Sequence, residues 1–264
     1  MRHDGRVGFL TCAEMKALEE NAFGRGVSAE ALMDEAGAAM GRFLVDFFPD
    51  PGSAVAYLGR GNNGGDALVA LQALREAGWQ VAVRCAFELA ELGELPRKKW
   101  GELGDPTVLA NAAEVAAVRR PLLLLDGLLG IGATGAVREP LRGLAMEMNQ
   151  LRREADAQVA AVDIPTGVDA DTGEVQDGAV QADLTCVIAA GKPGLVRESS
   201  LDHVGRLELI PLPELTPPRG DEELITAANL RSLVPRRPFH THKGEVGRVG
   251  LVAGSPGYLG AAVL

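Results

Sequence analysis

A chain of 264 residues with 47% hydrophobic and 23% charged side chains has the composition of a folded globular protein, and its length fits one large domain or one domain with part of another. The formal charge of −10 argues against a broad nucleic-acid-binding face, which needs a basic footprint, although a local pocket can still take an anionic nucleotide. Low aromatic content, 4%, beside 33 glycines points to aliphatic strands and tight turns of an α/β fold.

The opening MRHDGRVGFLTCAEM contains no apolar run of signal-peptide length, and the longest apolar stretch, around Leu122 and Ile131, is broken by Asp126 and glycines. These features predict no membrane span and a cytoplasmic location. Cys12, Cys85 and Cys186 are far apart, odd in number and free of CxxC spacing, which predicts reduced, structural thiols.

Two helices come first. Thr11 followed by Glu14 has the form of a capping box and opens a helix over residues 11–23. Over residues 28–48, Leu32, Met33, Ala36, Met40, Phe43, Leu44 and Phe47 recur at spacings of three and four, which marks an apolar face to be packed on a sheet or on a partner chain. The segment SAVAYL, Ser53–Leu58, then reads as a buried strand, and a helix runs on from Ala67 to end at Gly78.

Between them lies GRGNNGGD, residues 59–66. Gly59, Gly61 and Gly64 match the GxGxxG fingerprint, whose glycines permit a tight turn and a close approach of pyrophosphate to a helix N-terminus. Asn62, Asn63 and Asp66 depart from that pattern by placing amide oxygens and a carboxylate in the turn. Such groups suit sugar hydroxyls or a cation.

Apolar strands and helices then alternate: QVAVRCAF, a helix near Glu91, PLLLLDGLLG, a helix over residues 138–153, VAAVDIPTG, ADLTCVIAA and a last strand in GRLELIPL. This predicts a Rossmann-like three-layer α/β sandwich, with a mostly parallel sheet, right-handed crossovers, helices on both faces and two additional N-terminal helices. The proline- and acid-rich text between Pro211 and Pro238 reads as a linker, and HKGEVGRVGLVAGSPGYLGAAVL starts a fresh strand and glycine-rich turn.

In an open parallel sheet, ligands bind outside the carboxyl ends of the strands. Three strand ends there carry polar groups: Asn62, Asn63 and Asp66; Asp126 with the turn GIGATGA, residues 130–136; and Asp163 with Thr166. A carboxyl at the end of a buried strand is either a ligand or base, or a cap for the following turn. Lys192 in AGKPG either meets a phosphate at the same edge or is a solvated turn residue. His240 and His242 form an HxH pair with no third metal ligand nearby in sequence.

LMDEAG, GRGNNGGDALVALQAL, LLDGLLGIGATG, AAVDIPTGVDADTGE and ADLTCVIAAGKPG follow one another in order, and together they resemble the NAD(P)HX epimerase domain, also called the YjeF N-terminal domain. The tail resembles the opening of the ribokinase-like, ADP-dependent NAD(P)HX dehydratase domain. The resemblance implies an epimerase domain over residues 1–215, a linker over 216–238 and the beginning of an incomplete dehydratase domain over 239–264. The implied activity is interconversion of the R and S forms of NADHX and NADPHX, the hydrated reduced cofactors, with the S form consumed by a dehydratase.

Carried over by motif, the hydrate would be held by Asn62, Asn63, Gly64, Gly65 and Asp66, by Gly130, Ile131, Gly132, Ala133, Thr134, Gly135 and Ala136, and by Asp163. A potassium ion would be held by Asn63, Asp126 and Thr166, with ADP or ATP relevant only to a complete dehydratase domain. Asp163 is the candidate general acid-base and Lys192 an electrostatic helper on the diphosphate or the departing oxygen. Ala67, Ile131 and Thr166 depart from the family pattern, which usually has glycine, threonine and serine there. Competing readings are an NAD(P)-dependent oxidoreductase with Glu88 on the ribose, and a non-catalytic nucleotide-binding module whose first two helices form a partner surface. Homo-oligomerisation stays open.

Overall fold

The computed structural model describes residues 7–133, 135–218, 223–225, 230, 231, 234, 238–242, 244, 245 and 250. Met1–Ile225 form one compact unit and Thr226–Leu264 a second. Thr134, much of the expected linker and residues 251–264 of the expected second domain lie outside the described residues. In the second unit, His242 Nε2 lies 3.2 Å from a Glu245 carboxylate oxygen.

The first unit runs β1 (Val7–Gly8), α1 (Cys12–Gly24), α2 (Ala29–Phe47), β2 (Ser53–Leu58), α3 (Asn62–Glu76), β3 (Gln80–Cys85), α4 (Glu94–Glu102), β4 (Thr107–Val108), α5 (Ala112–Ala116), β5 (Leu122–Gly127), α6 (Leu141–Glu154), β6 (Gln158–Val162), β7 (Leu184–Ile188), α7 (Leu201–Val204), β8 (Arg206–Ile210) and β9 (Glu223–Leu224). The expected helix starts follow from capping. Thr11 Oγ1 accepts the Glu14 N–H while a Glu14 carboxylate oxygen accepts the Thr11 N–H at 2.8 Å, and Ser28 Oγ accepts the Ala31 N–H at 3.0 Å.

Seven parallel strands form one sheet in the order β4-β3-β2-β5-β6-β7-β8, and β1 pairs separately with β9. Along β2 the residues alternate between two cores. Ala54, Ala56 and Leu58 face Met40 and Leu44 of α2, Leu68, Leu71 and Leu74 of α3 and Trp100 of α4. Val55 and Tyr57 face Val115 of α5 and Leu144, Met148 and Leu151 of α6. The expected three-layer α/β sandwich is therefore present.

Helix α2 lies unusually close to α3. A Cβ on Gly37 would fall 2.4 Å from Val69 Cβ, and one on Gly41 would fall 2.6 Å from Ala73 Cβ. The buried Lys99 ammonium of α4 adds a tie to α2 through Glu30 at 3.0 Å and Asp34 at 2.6 Å.

Some local details differ from the sequence reading. The helix near Glu91 resolves into a single 3-10 turn, Leu89–Glu91, followed by α4. Strand β4 and helix α5 were not expected, because two exposed strand residues and a five-residue helix are too short for a periodic signal. More important for the site, α3 begins at Asn62, so only residues 59–61 form the turn and Asn62 to Asp66 are helical. Gly61 caps the helix with no side-chain bond, which makes the glycine run compatible with an immediate helix start.

Strand order reverses between β2 and β5: β3 and β4 continue one way, and β6, β7 and β8 the other. That reversal leaves a crevice at the carboxyl ends of β2 and β5, because the crossover helices depart to opposite faces.

Candidate functional site

The two strand ends at the reversal are drawn together through glycine. Gly59 N–H donates to Gly127 O at 3.1 Å, and a Cβ on Gly59 would lie 1.9 Å from Leu128 O. Any side chain there would separate the α3 N-terminus from the turn after β5. The contact continues at the next level, since Asn63 Nδ2 donates to Leu129 O at 2.8 Å.

Beneath that turn lies Asp126, fully buried as the penultimate residue of β5. Its carboxylate accepts the Thr166 N–H at 2.7 Å, the Thr166 hydroxyl at 2.8 Å and the Leu128 N–H at 3.2 Å. Thr166 Oγ1 in turn accepts the Leu129 N–H at 3.1 Å. Burial pushes the Asp126 carboxyl up to about 6, against these hydrogen bonds, which favour the ionised form. Asn63, Asp126 and Thr166 are thus linked through the backbone of residues 128 and 129.

A second carboxylate follows β6. Asp163 has φ +65°, in the left-handed region, where Asp is among the few non-glycine residues found. Its backbone N–H donates to Cys186 O at 3.0 Å, and its Oδ1 accepts the Ile188 N–H at 2.9 Å and Lys192 Nζ at 2.5 Å. Lys192 is fully buried and also donates to Ile188 O at 2.8 Å. The strained conformation is held by partners from β7 and the following turn, which is how a fold maintains such a residue.

These elements wall a crevice of about 620 Å³, in the size range of small-molecule sites. Its walls include Asn62, Asn63 and Asp66 of α3, residues 128–133, Asp163 and Lys192. The two N-terminal helices contribute Met15, Lys16, Glu19, Phe23, Leu32 and Met33, so both enclose the crevice, while α2 also packs on the sheet. Burial, then the Asp163 and Glu19 charges, holds the Asp66 carboxyl well above the usual carboxylate range. Burial and the Asp163 charge raise Glu19 also, opposed by Lys192 and Lys16.

Of the expected binding residues, Gly130, Ile131, Gly132 and Ala133 line the crevice, whereas Gly135 and Ala136 are exposed and are not part of its wall. Gly64 and Gly65 are buried within α3. A Cβ on Gly64 would lie 2.9 Å from Gly59 O and one on Gly65 2.5 Å from Met33 Sδ, so both positions serve close packing. Glu88 is the N-cap of the 3-10 turn at Leu89, its backbone N–H donating to a Glu91 carboxylate oxygen at 3.1 Å, and it does not line the crevice, which disfavours the ribose role of the oxidoreductase alternative.

Sequence reasoning missed Glu19, Lys16, Arg60 and Phe87, all on the crevice wall. Arg60 stacks its guanidinium 4.3 Å from the centre of the Phe87 ring. A signal for Glu19 was present: Met15 and Ala22 are the buried residues of α1, and a glutamate four residues from the first and three from the second shares their face.

A parallel sheet with a strand-order reversal beneath a crevice of mixed polar and apolar lining defines a doubly wound α/β protein, and the crevice lies at the switch point where such sheets bind ligands. The family described as YjeF-related protein N-terminus matches residues 29–194. The chain belongs to that family. It is 35% identical over 268 residues to a protein of Pyrobaculum aerophilum named bifunctional NAD(P)H-hydrate repair enzyme Nnr, covering 96% of this chain and 51% of that one. A protein of the same name from Coxiella burnetii is 32% identical over 262 residues, covering 94% of this chain and 51% of that one. This chain therefore spans about half the length of these curated relatives. The crystal structure of yeast ynu0, YNL200c, shares the fold with a TM-score of 0.63 at 21% identity, covering 74% of this chain and 86% of that one.

Proposed function

We propose that this chain epimerises the R and S forms of hydrated NADH and NADPH, as an isomerase of nicotinamide nucleotide repair. The observation that carries the reading is the convergence of the Asp163–Lys192 ion pair and the glycine-framed α3 N-terminus on one crevice. The names of the relatives support the substrate class.

The inverted carbon bears a hydroxyl and adjoins the ring nitrogen, so it loses configuration through an iminium ion or through ring opening. Either route moves a proton on or off oxygen, which positioned acid-base groups typically speed by about 10²- to 10⁴-fold. We assign that proton to Asp163; the assignment is supported by an Oδ1 fixed by Ile188 and Lys192 and an Oδ2 that carries no hydrogen bond among the described residues. Lys192 holds the carboxylate in place. Asn62, Asn63, Asp66 and residues 130–133 supply the binding walls, and Gly64 and Gly65 supply close packing beneath them.

A potassium ion suits the oxygen set at Asn63, Asp126 and Thr166. The amide oxygen of Asn63 has no hydrogen-bond donor among the described residues, and Asp126 is a buried carboxyl whose ionisation a cation would favour. Among the described residues, no group of three or more His, Cys, Asp or Glu side chains is placed to hold a metal ion. A single carboxylate with neutral oxygens fits a weakly hydrated monovalent ion, which would order the turn after β5.

We further read residues 1–215 as the epimerase domain, 216–238 as a linker and 239–264 as the beginning of a dehydratase domain, with the dehydratase as functional partner. No helix among the described residues is long and apolar enough to cross a membrane. The reading is tested by mixing the purified chain with both hydrate epimers and an independent S-specific dehydratase, with and without potassium. Accelerated consumption of the R epimer is expected. Unchanged consumption under both conditions rejects the reading.

A further inference from the structure

We propose that Glu19, on the helix preceding the segment that matches the family, is the second proton-transfer residue of the crevice, serving the face of the substrate ring opposite Asp163. The inference rests on the epimerase reading and adds a catalytic residue to it.

Chemistry sets the requirement. In the iminium route the hydroxyl leaves from one ring face as water: the C–O bond breaks, the oxygen takes a proton from a donor, and the ring nitrogen lone pair becomes the second C–N bond. Water then adds to the other face, its proton passes to a base, and the electron pair returns to nitrogen. Donor and base exchange roles in the reverse direction, and solvent resets their protons between turnovers. No electrons are gained or lost. Inversion therefore needs proton-handling groups on two walls of the site, each able to give and to accept.

Asp163 supplies one wall from a strand end, as the carboxylate of an ion pair with Lys192. Glu19 supplies another from α1, lining the same crevice. It accepts no hydrogen bond and forms no ion pair among the described residues, so no structural contact occupies it. Its position between the buried Met15 and Ala22 keeps the side chain on the inner face of α1. The charged groups around it are Lys16 on its own helix, Asp66 from α3, Asp163 after β6 and Lys192 after β7, with Arg60 elsewhere on the wall. Helix α2 and the segment after β8 contribute apolar side chains such as Leu32 and Leu212.

This environment favours the protonated form of Glu19, through burial and the Asp163 charge, with Lys192 and Lys16 limiting the effect. A carboxyl that burial raises, and that no structural contact occupies, is suited to act as donor as well as acceptor. Asp66 also faces the crevice, but it belongs to the helix start assigned to binding the hydrate, and it feels both the Asp163 and the Glu19 charge.

The test is steady-state epimerisation by wild type, Glu19→Gln, Glu19→Asp and Asp66→Asn across pH, with circular dichroism and melting to verify the fold. For Glu19→Gln we expect kcat to fall by about 10²-fold or more with KM within about threefold. The alkaline limb of the pH profile, caused by deprotonation of the donor, should vanish in Glu19→Gln and return in Glu19→Asp. Wild-type kcat with an unchanged profile in Glu19→Gln overturns the proposal. So does a loss confined to KM, or an alkaline limb removed by Asp66→Asn and kept by Glu19→Gln. A wild-type chain without epimerase activity instead rejects the parent reading.

Discussion

Lys192 Nζ lies 2.5 Å from Asp163 Oδ1 with the lysine fully buried, so neither charge has water as a substitute partner on that side. Breaking a buried pair from one side leaves an uncompensated charge and costs about 3 to 5 kcal/mol, whereas removing both charges is much less costly. Lys192→Met should therefore lower stability in urea titrations by about that amount, and Asp163→Asn combined with Lys192→Met should recover more than half of it. Simple additivity of the two single changes would show that the pair is not energetically coupled.

Asp163→Asn alone should remove accelerated epimerisation while leaving nucleotide binding measurable. Asparagine tolerates the left-handed backbone at φ +65° and keeps an oxygen for the Ile188 N–H, but it leaves the buried Lys192 ammonium without its counter-charge, so circular dichroism and melting must accompany the rates. Epimerisation rates and calorimetric binding of NADP separate the two effects. A rate equal to wild type would remove Asp163 from the chemistry.

Potassium should raise the melting temperature of the wild-type chain more than lithium does, and should do so less in Asp126→Asn. The ion favours ionised Asp126, whose carboxyl burial pushes up to about 6, so the increment should be larger at pH 8 than at pH 5. Thermal melts at constant ionic strength read this directly. Equal increments in wild type and variant would place the ion elsewhere.

The raised carboxyls of the crevice also set a pH dependence of stability. Asp66, Glu19 and Asp126 bind protons more tightly when folded, so between the usual carboxylate range and their raised values the folded state carries more protons than the unfolded one. Stability from these groups is full below the unfolded values and is lost as pH rises, for Asp126 across roughly pH 4 to 6. Glu14, Glu30 and Asp169, whose carboxyls are lowered mainly by hydrogen bonds, act in the opposite sense as pH falls. Asp66→Asn should consequently melt higher than wild type at pH 8, with the gain shrinking toward pH 4. A gain independent of pH would contradict the linkage.

Gly37→Ala should destabilise the unit, although alanine is normally the better helix former. The added Cβ would fall 2.4 Å from Val69 Cβ and 2.7 Å from Asp66 O, so α2 must move away from α3. Overpacking of this kind costs about 1 to 3 kcal/mol, and the displacement reaches the helix that carries Asn63. Denaturant midpoints measure the first effect, and the KM for the hydrate the second. An alanine variant as stable as wild type would show that the helices can separate freely.

Local chemistry determined much of this protein directly in its sequence. Capping by Thr11 and Ser28, the aliphatic strand Ser53–Leu58 and the order of strands and helices are short-range properties, readable because capping and periodicity act over a few residues. The same holds for the strand-end placement of Asp126, and the ordered motifs carried the family. Tertiary structure decided which residues share a crevice. Glu19 reaches it only because α1 is folded back over the strand ends, and Lys192 is an ion-pair partner of Asp163 only because the turn after β7 returns beneath it. It also gave Gly64 and Gly65 packing roles by bringing Gly59 O and Met33 Sδ against them. Those pairings depend on contacts between distant segments, and no local pattern encodes the distance between side chains that meet only after the sheet has formed.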